Sequence, residues 1–357
     1  MRLHQNNLTT GQGGQPCVAE RLRNGLANKE LSENQALQIF RSTSEAELLK
    51  TDPWGDNAYH VLLQLGVRIG LLCQTDRVIK SKNKDGSTLF HELITKGESV
   101  SPTCMDSYTL FMRDKQGNTP FIMMADNGLL AQVPRELLTI EHLTQANLLG
   151  ETALQAALRN SFDLIPKEYL TVDLLLEADT NGYSGFHALA QGSALGKLPA
   201  GILKSDHLVL ADKTGTTPLH WAAKRDLSQI PTGLVSPAAF LLRNYADVTP
   251  LHWAATSSQL NRVPLEVLTP DNLDIECSID GDSTDGDNST PLALAVVNDC
   301  SRQLPVFGRD ALVFVRNLAE IEQEKWRKLL RNHKIELPES LKADLTYLGK
   351  KGAWQEL

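Results

Sequence analysis

Apolar residues along this chain recur in short groups at helical spacing, and each group is introduced by a polar turn. In "TPLHWAA" (Thr217 to Ala223), Leu219, Ala222 and Ala223 fall at i, i+3 and i+4, and Leu251, Ala254 and Ala255 repeat the pattern in the next copy. This predicts a short helix with one apolar face, capped by Thr and begun by Pro. The alanines let neighbouring helices approach closely. A second group follows, introduced by another proline, with apolar residues three, four and nine places on. Within it "TPDNL" and "SPAAF" give a second cap and proline, so the pattern predicts two short turns instead of one long helix.

The groups keep time. The hairpin phrase D-x-x-G-x-T begins at Asp52, Asn83, Asp114, Asn147, Asp179, Asp212, Asn244 and Asp285, at intervals of 31, 31, 33, 32, 33, 32 and 41 residues. Asp or Asn opens the turn through its side chain, and the fourth position supplies a positive φ. That position is Gly six times, then Asp247 and Asn288, and Asp and Asn tolerate the left-handed region. Prolines at 102, 134, 166, 199, 231, 264, 305 and 338 keep the same beat. Nine residues after them stand Phe111, Leu143, Leu175, Leu208, Phe240, Leu273, Phe314 and Tyr347. Two independent anchors in one rhythm predict a repeat architecture.

D-x-x-G-x-T-P-L-H-x-A-A resembles the ankyrin repeat, whose period is about 33 residues and whose unit is a turn followed by two antiparallel helices. The resemblance covers residues 52 to 305, and Asp212–Ala223 and Asn244–Ala255 are near-consensus copies. The second half of each unit departs from the family, with φ-P-x-x-φ-L-[TKS] in place of the usual V-V-x-L-L-L helix and G-A-D. The resemblance implies an all-α, ankyrin-like helical-repeat solenoid with short hairpin turns between eight repeats.

Stacked repeats need end caps with a polar outer side. Residues 1 to 51 are expected to hold an N-terminal tail and a helical cap, because Leu48 precedes Asp52 by the same four residues as Leu143 precedes Asn147. Residues 306 to 357 are expected to form a helical C-terminal cap, a degenerate ninth repeat in which "WRKLLRNHKIELP" lines up with "LQAALRNSFDLIP". The interval of 41 marks an acidic insertion at about 275 to 287.

Composition narrows the chemistry. A 41% hydrophobic chain of 357 residues supports a continuous core, and a formal charge of -8 opposes a nucleic-acid binder, which needs a basic stripe. No apolar stretch is long enough to span a membrane, and "MRLHQNNLTTGQGGQPC" has no apolar targeting core. Five scattered cysteines without a C-x-x-C pair read as reduced thiols, and a cytoplasmic location is expected.

His60, His91, His187, His220 and His252 share one repeat position and invite a metal ladder. Repeats spaced by the 8–10 Å of packed helices cannot bring two such rings to one ion at about 2 Å. By the resemblance these rings hydrogen-bond backbone between neighbouring hairpins. Asp280, Asp282, Asp285 and Asp287 miss the calcium-loop register, since Thr284 stands fifth and Asp285 sixth. "GQGG" (Gly11 to Gly14) follows no strand and reads as a flexible tail, not a phosphate loop. Cys104 and Cys300 lack nucleophile motifs, and no G-x-S-x-G occurs. Trp221 and Trp253 read as packing between repeats. No catalytic residue, metal site or cofactor is expected.

Two functions remain in view. The first is a non-catalytic, monomeric scaffold that binds another protein through a concave surface of hairpins and first helices, as the resemblance implies. The second is a secreted effector or regulator whose caps or acidic loop carry a specific activity. For the scaffold, the second, third and fifth hairpin positions and the two residues after A-A are expected to face the partner. There stand Trp54, Lys84, Asp85, Lys115, Gln116, Tyr183, Lys213, Thr214, Lys224, Arg225 and Tyr245. The set is basic and aromatic in an acidic chain, which points to an acidic protein segment.

Overall fold

A computed structural model describes residues 16–69, 75–98, 100–277, 290–298, 303–305, 320–332 and 335–336. Among the described residues every regular element is helical, and pairing of strand type occurs only as isolated bridges such as Lys82–Thr88 and Ala178–Ser184. The chain divides into two compact units, Met1–Leu148 and Leu149–Leu357. The expected acidic loop from 278 onward, and most of 306–357, lie outside the described residues.

The first unit opens with α1 (Val18–Ala27), α2 (Glu33–Ser42) and α3 (Glu45–Leu48), followed by α4 (Ala58–Gln64), α5 (Asp76–Ile79), α6 (Leu89–Thr95), α7 (Pro120–Asp126) and α8 (Ile140–Leu143). Ser32 and Gln35 close a capping box on α2, with the Ser32 amide donating to Gln35 Oε1 at 2.9 Å. α1 packs on α2, α3 and α4, α4 on α6, and α6 on α7. Leu22, Phe40 and Tyr59 are buried at the first of these junctions, where the two rings meet edge-on at 4.9 Å.

The second unit contains α9 (Ala153–Asn160), α10 (Val172–Leu176), α11 (Gly185–Gln191), α12 (Ser205–Leu208), α13 (Pro218–Arg225), α14 (Pro250–Thr256), α15 (Pro270–Leu273), α16 (Pro291–Val297) and α17 (Glu320–Asn332). The longer first helices pack in file, α9 on α11, α11 on α13, α13 on α14 and α14 on α16. Their buried positions are the spaced apolar ones: Leu154 and Ala157, Phe186 and Leu189, Leu219 and Ala222, Leu251 and Ala254, Leu292 and Ala295. α17 packs on α15 and buries Trp326, Leu329 and Leu330, while Lys325 pairs with Asp271 outside.

Between these helices the chain runs in short pieces. After α7 come 3-10 turns Leu130–Gln132 and Arg135–Leu137 and then α8; after α9 come Phe162–Leu164, Lys167–Tyr169 and α10; after α14 come Leu260–Arg262, Leu265–Val267 and α15. Pro134, Pro166 and Pro264 stand just before the second turn, at φ of -53°, -58° and -54°. Thr139, Thr171 and Thr269 then cap the last piece by accepting from the amide three residues on. A cap so soon after a proline leaves room for a single turn, so no long helix forms.

The hairpins repeat one hydrogen-bond pattern. Oδ1 of Asp52, Asn83, Asp114, Asp179, Asp212 and Asn244 each accepts from the amides two and four residues on. Gly215 takes φ +77°, and a Cβ there would lie 2.9 Å from Asn244 Cα, so both angle and space require glycine. Asp247 holds the same position at φ +58°.

Candidate binding surface

Successive hairpins are joined by a recurring backbone bond. In the first unit Lys115 N donates to Asp85 O at 3.0 Å and Leu148 N to Gln116 O at 3.0 Å. In the second, Thr180 N donates to Leu149 O at 2.8 Å, Lys213 N to Asn181 O at 2.7 Å and Tyr245 N to Thr214 O at 2.8 Å. The second-position amide therefore meets the third-position carbonyl of the hairpin before it. Because the backbone at these positions is spoken for, the side chains are turned to solvent. The first hairpin has Pro53 at the second position, a residue with no amide to leave unpaired.

Histidines tie hairpin to helix from below. His91 Nε2 donates to Asn118 O (3.2 Å), His187 Nε2 to Thr216 O (3.2 Å), His220 Nε2 to Val248 O (3.1 Å) and His252 Nε2 to Ile275 O (3.0 Å). In each ring Nδ1 accepts the amide of the residue three places earlier, which fixes the tautomer with hydrogen on Nε2. Burial lowers the pKa of His91 and His187, and that of His220 to about 4.

His60 differs because Asn57 replaces the Ser or Thr. Asn57 Oδ1 lies 2.8 Å from His60 Nδ1 and can only accept, so the hydrogen sits on Nδ1 and Nε2 makes no hydrogen bond of normal geometry. The Ser87 carbonyl favours a proton on this ring, but burial outweighs it and lowers the pKa to about 4. Sequence reasoning missed Gln155, which stands where five other repeats have histidine. Its Nε2 donates to Tyr183 O at 2.9 Å, and its place three residues after Thr152 was a readable signal.

The expected contact residues fall into three groups. Lys84, Asp85, Lys115, Gln116, Lys213, Thr214, Lys224, Arg225 and Tyr245 are exposed, and Tyr245 is 83% exposed. Trp54 is also exposed, at 43%, but Arg23 of α1 lies over its ring at 5.1 Å. The same guanidinium pairs with Asp52 and Asp56, each at 2.7 Å, so the first hairpin is latched to the capping helix. Tyr183 is half-buried: its ring lies 5.3 Å from that of His187 and its hydroxyl donates to Gln191 Oε1. Burial pushes its phenol up to about 12. Fifth-position residues generally turn inward, as buried Asp56 and Thr216 also show.

Trp221 and Trp253, assigned to packing, add an aromatic floor to this face. Their half-buried rings meet at 5.2 Å and 65°, and Lys224 Nζ lies 5.7 Å and 5.1 Å from the two centroids.

A separate groove of about 700 Å³ lies among the short pieces of the second unit, lined by Leu227, Ile230, Val235, Phe240, Val263 and Glu266 among others. It opens where Gly233, at φ +80°, replaces the usual 3-10 turn after Pro231. Among the described residues no three metal-ligating side chains converge, and no helix is long and apolar enough to cross a membrane. Cys104 is buried, which raises its thiol pKa and suits it poorly to nucleophilic work. No family model matches the chain, and no curated protein matches it significantly.

Proposed function

We propose that this chain is a divergent ankyrin-like solenoid that acts as a non-catalytic scaffold and binds another protein through its hairpins and first helices. The observation that carries the reading is the hairpin-to-hairpin amide bond, repeated in both units, which commits the backbone inward and presents second- and third-position side chains outward. A rigid row of outward side chains offers extended contact at little ordering cost, as in a preorganised interface. The scaffold works as a monomer, without cofactor, and the cysteine pattern fits the cytoplasm.

Affinity capture of the partner from native lysate tests it. Combined Lys213→Glu, Lys224→Glu and Arg225→Glu substitutions should leave the melting curve nearly unaltered and cut capture at least tenfold, about 1.4 kcal/mol. Lys167→Glu, on a 3-10 turn away from the hairpins, should leave capture unchanged. The reverse pattern overturns the proposal.

A further inference from the structure

We infer that the part of this face carried by α13 and α14 takes an extended acidic peptide, with carboxylates at both ends of the contact and an apolar side chain between. The inference rests on reading the hairpin and first-helix face as the binding surface, and it names what that surface accepts.

Charge complementarity is the first ground. Several other cations of the second unit carry their own acids: Arg159 pairs with Glu151 at 3.2 Å, Lys197 with Asp163 at 2.9 Å and Arg243 with Asp247 at 3.3 Å. Lys213, Lys224 and Arg225 are exposed, and among the described residues none pairs with a carboxylate. In a chain of net charge -8, three cations of one repeat without paired carboxylates leave a local positive field for a ligand to meet.

The aromatic floor is the second. Lys224 is held over both indoles, so its charge is positioned instead of swinging free. Trp221 Nε1 is a buried donor that finds no acceptor among the described residues, and a small shift of the ring toward a carboxylate would satisfy it. Tyr245 stands on the neighbouring hairpin, tied to Thr214 by its amide, with its ring open for an apolar side chain.

Dimensions fix the form of the ligand. α13 has eight residues and so runs about 12 Å. An extended strand rises about 3.3 Å per residue, so about four residues run the length of α13, whose last turn carries Lys224 and Arg225. A polyphosphate backbone would meet the same cations but also the excess of acid over the rest of the chain.

The test uses the full chain and three fluorescent probes followed by anisotropy: a peptide of about ten residues alternating Glu and Leu, the same peptide with Gln for Glu, and an oligothymidine of similar length. Indole N–H resonances of Trp221 and Trp253 report the site. The Glu peptide should bind at least tenfold more tightly than the Gln peptide, lose that advantage at high salt, and shift both indole signals. Lys224→Gln should weaken it severalfold, whereas Lys167→Gln, on a 3-10 turn away from the hairpins, should not.

Equal binding of both peptides with shifted indole signals would overturn the acidic specificity and leave the surface reading standing. Binding without any indole shift would overturn both. Absence of Glu-peptide binding at millimolar concentration, or tighter binding of the oligothymidine, would overturn the inference alone.

Discussion

Two stretches of one face, both in the second unit, share a scaffold and differ in what they leave available. Around α9 and α11 the face satisfies itself: Arg159 pairs with Glu151, the Tyr183 hydroxyl bonds Gln191, and its ring lies against His187. Around α13 and α14 the same backbone pattern presents Lys213, Lys224, Arg225 and Tyr245, and among the described residues none of the three cations is paired with a carboxylate. The repeat therefore decides where a side chain stands, while its neighbours decide whether it is free to bind. Tyr183 and Tyr245 are both hairpin tyrosines. One belongs to the frame and the other to the contact surface.

The histidine frame lies beneath both stretches, and acid should loosen them together with the largest effect. His220 titrates near 4 when folded against an ordinary 6.5, so between these values the unfolded chain takes up a proton that the folded chain refuses. Stability should be unaffected by this ring above pH 6.5 and fall as pH drops toward 4, by about 3 kcal/mol. His187 is lowered in the same direction, again chiefly by burial. Thermal unfolding across this window checks the claim, and an unchanged melting temperature would contradict it.

His220→Ala should come next, costing about 1–3 kcal/mol because the buried Val248 carbonyl loses its donor. Denaturant unfolding gives the value, and chelators should not alter it. A smaller effect should separate the tyrosines. Tyr183→Phe should cost about 1 kcal/mol and spare peptide binding, whereas Tyr245→Ala should change stability by less than about 0.5 kcal/mol and weaken the peptide. Smallest of all, Glu151→Gln should shift stability by no more than about 1 kcal/mol, since both members of its ion pair with Arg159 are partly exposed. By removing the negative charge beside Arg159 it should raise affinity for the Glu peptide and bring the closed stretch nearer to the open one. Isothermal titration would show whether the two stretches converge.

The hairpins and first helices were legible because their causes are local. Asp212, Gly215, Thr217 and Pro218 each act on backbone within a few residues, so one unit of sequence displays them all. The division of the outer segment into short turns was legible for the same reason, through Pro264 and Thr269. Contacts across long separations were not. Arg23 reaches Asp52 over 29 residues, and nothing near Trp54 announces the cation that covers it. Tyr183 was placed outward from its hairpin position, but its ring folds back along α11 to Gln191, a partner visible only once the helix is formed. The groove beside Phe240 opens where Gly233, like Gly201 in the repeat before it, takes a positive φ in place of the 3-10 turn kept at Lys167–Tyr169 and Leu265–Val267, a departure that matters only in three dimensions.

Hydrogen exchange on the full chain with its captured partner tests the central claim most directly. If hairpins and first helices form the binding surface, amides of 212–225 and 244–256 should gain protection on binding, while those of 227–240 and 260–267 keep their free-state rates. Protection confined to 227–240 and 260–267 would contradict the account, because it would move the partner to the outer groove and leave Lys213, Lys224 and Tyr245 uninvolved.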